Sequence, residues 1–213
     1  MMNDTSVLLI DDHPLLRKGL AQLIDEEEGL KVVAEVGDGV TGLKLAIEFE
    51  PDLILLDLNM KGMDGLETLK AMRAEGVASR VVVLTVSEHR DDIAAMFRAG
   101  ADGYLLKDME PEELLSQISQ AAMGKLAVDA RLAEVLASVL RPDSSETSKI
   151  DLLTPKEREV LQFIAEGDAN KVIARKMDIS EGTVKVHVKR LLRKLDFRSR
   201  VEAAVWWVSS RDR

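Results

Sequence analysis

Four stretches of this sequence carry side chains that could act together on a phosphoryl group: the pair Asp11-Asp12, then Asp57, Thr85 and Lys107. Three carboxylates brought into one crevice repel one another, and they stay ionised only with a cation among them or with raised pKa values. Carboxylate oxygens are hard ligands. With no His or Cys in the set, Mg²⁺ is the ion they suit, six-coordinate with water and phosphate oxygens completing its shell. Lys107 could neutralise an incoming phosphoryl group, and the Thr85 hydroxyl could bond one of its oxygens. An Asp nucleophile in such surroundings gives an acyl phosphate, with metal and Lys offsetting charge in the transition state. Each residue alone has an ordinary explanation: an Asp at a strand end caps a turn, a Lys is solvated, a Thr packs. Their joint placement is what argues for chemistry. His13 reads as solvated or capping, because Pro14 beside it opens a helix at its first position.

The elements that would position these groups follow from the apolar pattern. Val7-Leu8-Leu9-Ile10, Lys31-Val32-Val33-Ala34, Leu53-Ile54-Leu55-Leu56, Val81-Val82-Val83-Leu84 and Gly103-Tyr104-Leu105-Leu106 are short runs without alternation, as expected of strands buried on both faces. Helical patterns separate them: Leu15 to Ile24, Val40 to Phe49, Leu66 to Met72, Ile93 to Phe97 and Leu114 to Ala122. Alternation of this kind predicts an α/β domain with a doubly wound five-stranded parallel sheet, whose ligands bind at the carboxyl ends of the strands. Asp11-Asp12, Asp57, Thr85 and Lys107 end the first, third, fourth and fifth strands.

Composition narrows the class. Of 213 residues, 46% are hydrophobic and 31% charged, and no apolar run reaches the roughly 18 residues of a membrane span. A membrane protein is therefore not expected, and Met1 to Ser6 lacks the basic-then-apolar order of a secretory signal, so a cytoplasmic protein is expected. With no Cys there is no disulfide, thiol nucleophile or thiolate metal site. The net charge of −9 hides an asymmetry: residues 1 to 150 hold 15 Lys and Arg against 28 Asp and Glu, a net of −13, whereas 151 to 213 hold 14 against 10, a net of +4.

Between the two halves, Arg131 to Leu140 reads as a short helix with Leu132, Val135, Leu136 and Val139 as its stripe. Arg141 to Lys149 is a polar, aperiodic linker spanning at most about 30 Å. The domains are thus expected at 1–125, with helix and flexible linker over 126–150, and at 151–213. Thr154-Pro155-Lys156-Glu157 opens the second with a capping box, and Val160, Leu161 and Ile164 follow as an apolar stripe that Gly167 ends. A helix from Asn170 to Met177 precedes a third that Ser180 caps, whose Val184, Val188, Leu191 and Leu195 share one face. The other face shows Lys185, Val186, Lys189, Arg190 and Arg193, and residues 185 to 200 hold seven Lys and Arg against one acid. Two short helices and a tight turn, the second basic, form a helix-turn-helix suited to the DNA major groove. Lys can donate to guanine acceptors there, Val186 can touch a thymine methyl, and the other cations meet phosphates.

At these spacings Asp11-Asp12, Asp57, Thr85, Tyr104 and Lys107 resemble the receiver domain of two-component response regulators, over residues 5 to about 125. The resemblance implies a flavodoxin-like receiver in which Asp57 accepts a phosphoryl group from a phosphohistidine of a sensor histidine kinase. It further implies Mg²⁺ held by Asp12, Asp57 and the Asn59 carbonyl, with Asp11 acting through water, a Thr85–Tyr104 switch pair, and Lys107 on the phosphoryl group. Lys61 stands where the family usually has Pro, and Val86 where it usually has a small residue. Leu153 to Leu161, Asn170 to Ala174 and Thr183 to His187 resemble the four-helix LuxR-type DNA-binding domain over residues 150 to 211, with the motif at about 170–189. Ala169 replaces the Ser or Thr common there, so that hydroxyl's phosphate contact is missing. This likeness makes Lys185, Val186 and Lys189 the base readers, with Thr183, His187, Arg190, Lys171 and Arg193 beside them on DNA. It also makes the last helix, Ser199 to Ser209, the dimerisation element, through Val201, Val205 and Val208.

Together the two resemblances identify a response regulator of the NarL/FixJ class, a phosphorylation-switched transcription factor rather than an enzyme, apart from self-catalysed phosphotransfer and dephosphorylation at Asp57. The stretches Asp57 to Met63, Ala101 to Asp108 and Ser199 to Trp206 resemble the nitrate/nitrite regulators of that class. Its partners would be a sensor kinase, double-stranded DNA bound as a homodimer, and RNA polymerase as a further candidate. An Mg²⁺-dependent aspartyl phosphatase is disfavoured, because the general acid it needs two residues after the nucleophile is here Asn59. A phosphorylation-dependent protein-docking adaptor is the other alternative. Two readings of Trp206 and Trp207 stand open, one in which the last helix closes its own core and one in which an indole waits for a partner. The charge split also predicts that the acidic receiver partly masks the basic helix at rest.

Overall fold

The computed structural model describes residues 4–125, 127–128 and 147–211. Strands β1 (Thr5–Ile10), β2 (Leu30–Val36), β3 (Leu53–Asp57), β4 (Arg80–Thr85) and β5 (Gly103–Leu106) alternate with helices α1 (Pro14–Glu26), α2 (Gly39–Phe49), α3 (Gly65–Ala74), α4 (Arg90–Ala99) and α5 (Pro111–Ala122). All strand pairs are parallel, in the order β2-β1-β3-β4-β5, and a two-residue strand β6 (Ala127–Val128), absent from the sequence expectation, extends the edge beside β5. Successive side chains leave a strand on opposite faces, so Ile10, Leu56, Val83 and Tyr104 build one core while Leu9, Leu55, Val82 and Leu105 build the other. Strand β2 departs from the expected burial on both faces. It is the sheet edge, its residues after Leu30 alternate between half-buried and exposed, and Val33 faces solvent.

The chain reverses its winding at β1, which has β2 on one side and β3 on the other, and a ligand crevice opens at such a switch point. Gly65 lets α3 start there. A Cβ on it would lie 2.2 Å from the Asp57 carbonyl oxygen and 2.7 Å from the Leu58 Cα, so only glycine allows that approach behind Asp57.

The helices of the second half are α6 (Pro155–Ala165), α7 (Asn170–Met177), α8 (Glu181–Leu195) and α9 (Arg200–Arg211), after a 3₁₀ helix over Thr147–Leu152. Thr147 to Lys149 therefore belong to a 3₁₀ helix rather than to the expected linker. The rest of that linker and the expected helix Arg131 to Leu140 lie outside the described residues. At the start of α6 the box forms as expected: Thr154 Oγ1 accepts from the Glu157 amide at 3.3 Å and Glu157 Oε2 from the Thr154 amide at 2.8 Å. Lys194 Nζ sits 2.7 Å from the same carboxylate and ties α8 to α6. Val160, Leu161, Ile173, Val184, Val188, Leu191 and Leu195 form a separate core, closed by α9 through Ala203, Trp206 and Trp207. Both indoles are buried, at 7% and 8% exposure, which decides against an indole left open. Trp206 packs against Phe197 in a tilted arrangement, with ring centres 5.5 Å apart and planes at 60°.

Candidate functional site

The strand ends bring Asp11, Asp12, Asp57 and Lys107 together. Lys107 Nζ lies 2.8 Å from Asp11 Oδ2 and 2.9 Å from Asp57 Oδ2, with all three side chains less than a tenth exposed. A single ammonium thus bridges two buried carboxylates, which lowers their mutual repulsion. Burial pushes the Asp57 carboxyl above its ordinary value, against the opposing pull of Lys107. His13, expected to be solvated or to cap α1, makes no side-chain cap. Its amide donates to Asp11 Oδ1 at 2.8 Å, and this turn lays its ring, solvent-exposed as expected, over the crevice, with Nδ1 2.9 Å from Asp12 Oδ1 and 3.7 Å from Asp57 Oδ2. Nothing in its spacing signals this; the reason is the tight turn between β1 and α1.

Asp12 Oδ1 and Asp57 Oδ2 are buried and accept no aligned hydrogen bond, although the His13 ring nitrogen and the Lys107 ammonium, respectively, stand 2.9 Å away. Oxygen atoms so placed keep lone pairs for a divalent ion, and the carboxylates of Asp11, Asp12 and Asp57 lie close enough to share one. The Asn59 amide donates to Asp57 Oδ1 at 3.3 Å, which puts its main chain at the same rim.

From this crevice a polar chain runs to α4. Thr85 Oγ1 accepts from Asn59 Nδ2 at 3.4 Å and from the Ser87 amide at 3.2 Å, and the Ser87 carbonyl accepts from the Tyr104 hydroxyl at 3.0 Å. Ser87 Oγ in turn donates to Asp92 at 2.6 Å in the first turn of α4. Ser87 is the residue that sequence reasoning missed. It stands two residues after Thr85, as Asn59 stands two after Asp57, and that shared offset was the available signal. Burial, then the charge of Asp92, push the Tyr104 phenol upward, so it stays neutral and donates. Val86 is 71% exposed and Lys61 is exposed, so neither departure from the receiver pattern fills the crevice.

The basic face of α8 is packed against the receiver on the side away from the crevice. Lys185 Nζ lies 3.0 Å from Asp52 Oδ1 and donates at 2.6 Å to the carbonyl of Glu50, a left-handed residue that ends α2. Val186, Lys185 and Lys189 border a small cavity with Ala46, Ile47 and Gly76. Elsewhere the contact uses main chain: Arg198 Nη1 donates to the Arg98 carbonyl at 2.7 Å, and a Cβ on Gly124 would meet the Gly167 carbonyl at 2.1 Å. Thr183, Arg190 and Arg193 are exposed, His187 Nδ1 is buried without a partner, and Lys171 lies near Asp52 and Arg80. Val201 and Val205 are half-buried beside α5, and Val208 is exposed.

Residues 7–119 match the model of the response regulator receiver domain, and residues 151–207 that of the bacterial regulatory proteins of the luxR family. The chain is a two-component response regulator of the NarL/FixJ class. Over 202 residues it is 52% identical to the nitrate/nitrite response regulator protein NarL of Escherichia coli (strain K12), covering 94% of each chain. NarP of the same strain is 46% identical over 205 residues, 96% of this chain and 95% of that one. Among solved structures, a LuxR-family two-component response regulator from Aurantimonas sp. SI85-9A1 aligns with a TM-score of 0.59 at 32% identity, over 64% of this chain and 97% of that one. The response regulator RcsB in complex with DNA aligns over 98% and 99%, with a TM-score of 0.57 at 25% identity. As a response regulator, this chain controls transcription by binding DNA in a phosphorylation-dependent way. No helix among the described residues is long and apolar enough to cross a membrane.

Proposed function

We propose that this response regulator serves a nitrate/nitrite-sensing pathway, taking a phosphoryl group on Asp57 from a sensor histidine kinase and then binding promoter DNA as a dimer. The observation that carries the reading is the Lys107 ammonium held 2.9 Å from Asp57 Oδ2 beside two further carboxylates. Asp57 attacks phosphorus, its new P–O bond forms as the P–N bond to the kinase histidine breaks, and Lys107 neutralises the transferred oxygens. Asp11, Asp12, Asp57 and the Asn59 carbonyl would hold Mg²⁺, which when bound supplies further charge neutralisation. The nitrate/nitrite assignment rests on the NarL and NarP relatives, and the cytoplasm is where kinase phosphohistidine and DNA are both available.

Phosphoryl transfer also gives Thr85 a new partner. Its hydroxyl turns to donate to a phosphoryl oxygen, gives up Ser87, and so loosens the Tyr104 hydroxyl from the Ser87 carbonyl. Helix α4 connects this event to the docked surface. Its first turn is held by Ser87 through Asp92, and its last turn meets Arg198 through the Arg98 carbonyl, about 9 Å further along the helix axis. A shift of α4 then frees Lys185, Val186 and Lys189 for base contacts, with Thr183, His187, Arg190, Lys171 and Arg193 around them on DNA, while Val201, Val205 and Val208 pair two copies. The domain division at 1–125, 126–150 and 151–213 is kept in this reading. Intact-mass measurement after incubation with acetyl phosphate and Mg²⁺ tests it: one phosphoryl adduct is expected on the wild type and none on Asp57→Asn. An undiminished adduct on the variant refutes the assignment.

A further inference from the structure

The gap between the ends of α3 and α4 and the outer side of α8 is a cavity of about 740 Å³, within the range that small ligands fill. Its charged lining is one-sided. Lys70 and Arg98 come from the receiver, Lys189, Arg193 and Arg198 from the helical half, and Asp196 is the sole acid among these described lining residues. Arg73 also reaches the lining, but it is spent on Asp102 at 2.9 Å and on the carbonyls of Val77, Ser79 and Gly100. The Lys70, Arg98, Lys189 and Arg193 side chains are exposed and have no hydrogen bond or ion pair among the described residues.

Chance composition does not favour this. Residues 1 to 150 carry a net charge of −13, yet the receiver turns only cations toward the cleft, directly opposite the cations of α8. Acidic masking therefore accounts for Lys185, which meets Asp52, and fails for Lys189 and Arg193. Like charges facing across a docked interface raise its free energy, and protein walls focus the resulting potential on whatever anion enters.

We infer that this cleft is a binding site for a compact oligophosphate, two or three linked phosphate groups as in a nucleoside triphosphate or inorganic triphosphate, which stabilises the docked, DNA-free arrangement. Linked phosphates carry enough charge to answer four cations that have no ion pair among the described residues, whereas a single phosphate does not. Arginine binds phosphate oxygens bidentately and lysine binds them as a point charge. The ligand occupies Lys189 and Arg193, so it excludes DNA from them. The effect on DNA rests on the reading of α8 as the DNA-binding helix; the binding itself does not, and neither involves Asp57. The result is an input to the switch separate from phosphorylation.

The test uses the full chain without Mg²⁺ and inorganic triphosphate as probe, titrated by calorimetry at constant ionic strength. One saturable site per chain is expected, weakened at least tenfold by the double variant Lys70→Ala with Arg98→Ala, whose thermal unfolding should match the wild type because both side chains are exposed. In a mobility-shift assay, triphosphate should weaken DNA binding by the wild type more than sodium chloride of equal ionic strength, and the double variant should resist it. Equal triphosphate binding by wild type and double variant, or inhibition no greater than that of the chloride control, overturns the proposal. ATP in place of triphosphate identifies the source: tighter binding points to a nucleotide and equal binding to the inorganic chain, and either supports the site. Absence of any DNA binding would defeat the reading of α8 while leaving the calorimetric result to decide the cleft.

Discussion

The crevice and the face of α8 are both built from charge, and they differ in how that charge is compensated. At the strand ends one ammonium lies within 3 Å of two carboxylates, and the third, Asp12, has the His13 ring nitrogen 2.9 Å away. On α8 one lysine is paired with the receiver while Lys189 and Arg193 face other cations. Preorganised charge is what a site needs to act on a reacting group, since nothing has to reorient during the reaction. Unpaired charge is what a surface needs to be held for a polyanion that arrives later. Chemistry and recognition thus leave opposite electrostatic signatures in one chain.

The largest effect should come from weakening the compensated side. Asp12→Ala removes an oxygen that has no aligned hydrogen bond, and labelling of Asp57 by acetyl phosphate should slow on the order of a hundredfold, as should labelling of the wild type in EDTA. A wild-type rate in both would show that the carboxylates need no metal. Gly65→Ala should cost about 2 to 3 kcal/mol of stability in denaturant melts, because its Cβ would sit 2.2 Å from the Asp57 carbonyl oxygen. Lys185→Ala has two opposed consequences, since the residue docks at rest and reads DNA once free. Measured on the phosphorylated chain, it should lose about 1 to 3 kcal/mol on a specific site and little on random DNA. An equal loss on all sequences would make Lys185 a phosphate contact instead.

Smaller effects sharpen the contrast. The Glu157 carboxyl is raised by burial but held below its ordinary value on balance, by Lys194 and by its bonds to Thr154. A lowered folded value means that its stabilisation is complete above the unfolded pKa and is lost as pH falls through the folded one. Glu157→Gln should therefore cost about 1 kcal/mol at neutral pH and progressively less in acid, as read from melting temperatures. Asp52→Asn keeps the acceptor for Ser6 while removing the charge beside Lys185. For this partly exposed pair the gain in DNA affinity of the resting chain should be about twofold.

Most of the crevice was legible because strand ends are legible. An apolar run followed by Asp, Thr or Lys says both where the strand stops and which end of the sheet the polar group occupies, and the burial of Val81 to Leu84 follows from the same run. The helix-turn-helix was legible for a similar reason, with Ser180 capping α8 as its sequence position suggests. What could not be read were contacts made by turns and by distant segments. His13 meets the carboxylates through a turn geometry, Glu50 offers its carbonyl through a left-handed backbone, and Gly124 meets Gly167 across two halves of the chain. Strand β6 is two residues long and carries no pattern at all. That Ala203, Trp206 and Trp207 close the core of the last helix was not legible either: two large indoles take the inner face, and Val201, Val205 and Val208 are left half-buried or exposed.

The central claim is that a phosphoryl group on Asp57 separates α8 from the receiver. The chain has no cysteine, so cysteines placed at the exposed positions Glu48 and Gly182 would be the only two and could carry a spin label each. Pulsed electron resonance should show one short, narrow distance in the resting chain and a longer, broader one after acetyl phosphate and Mg²⁺, with no change when the same pair is placed in Asp57→Asn. A distance that stays short while DNA affinity rises on phosphorylation would contradict the account.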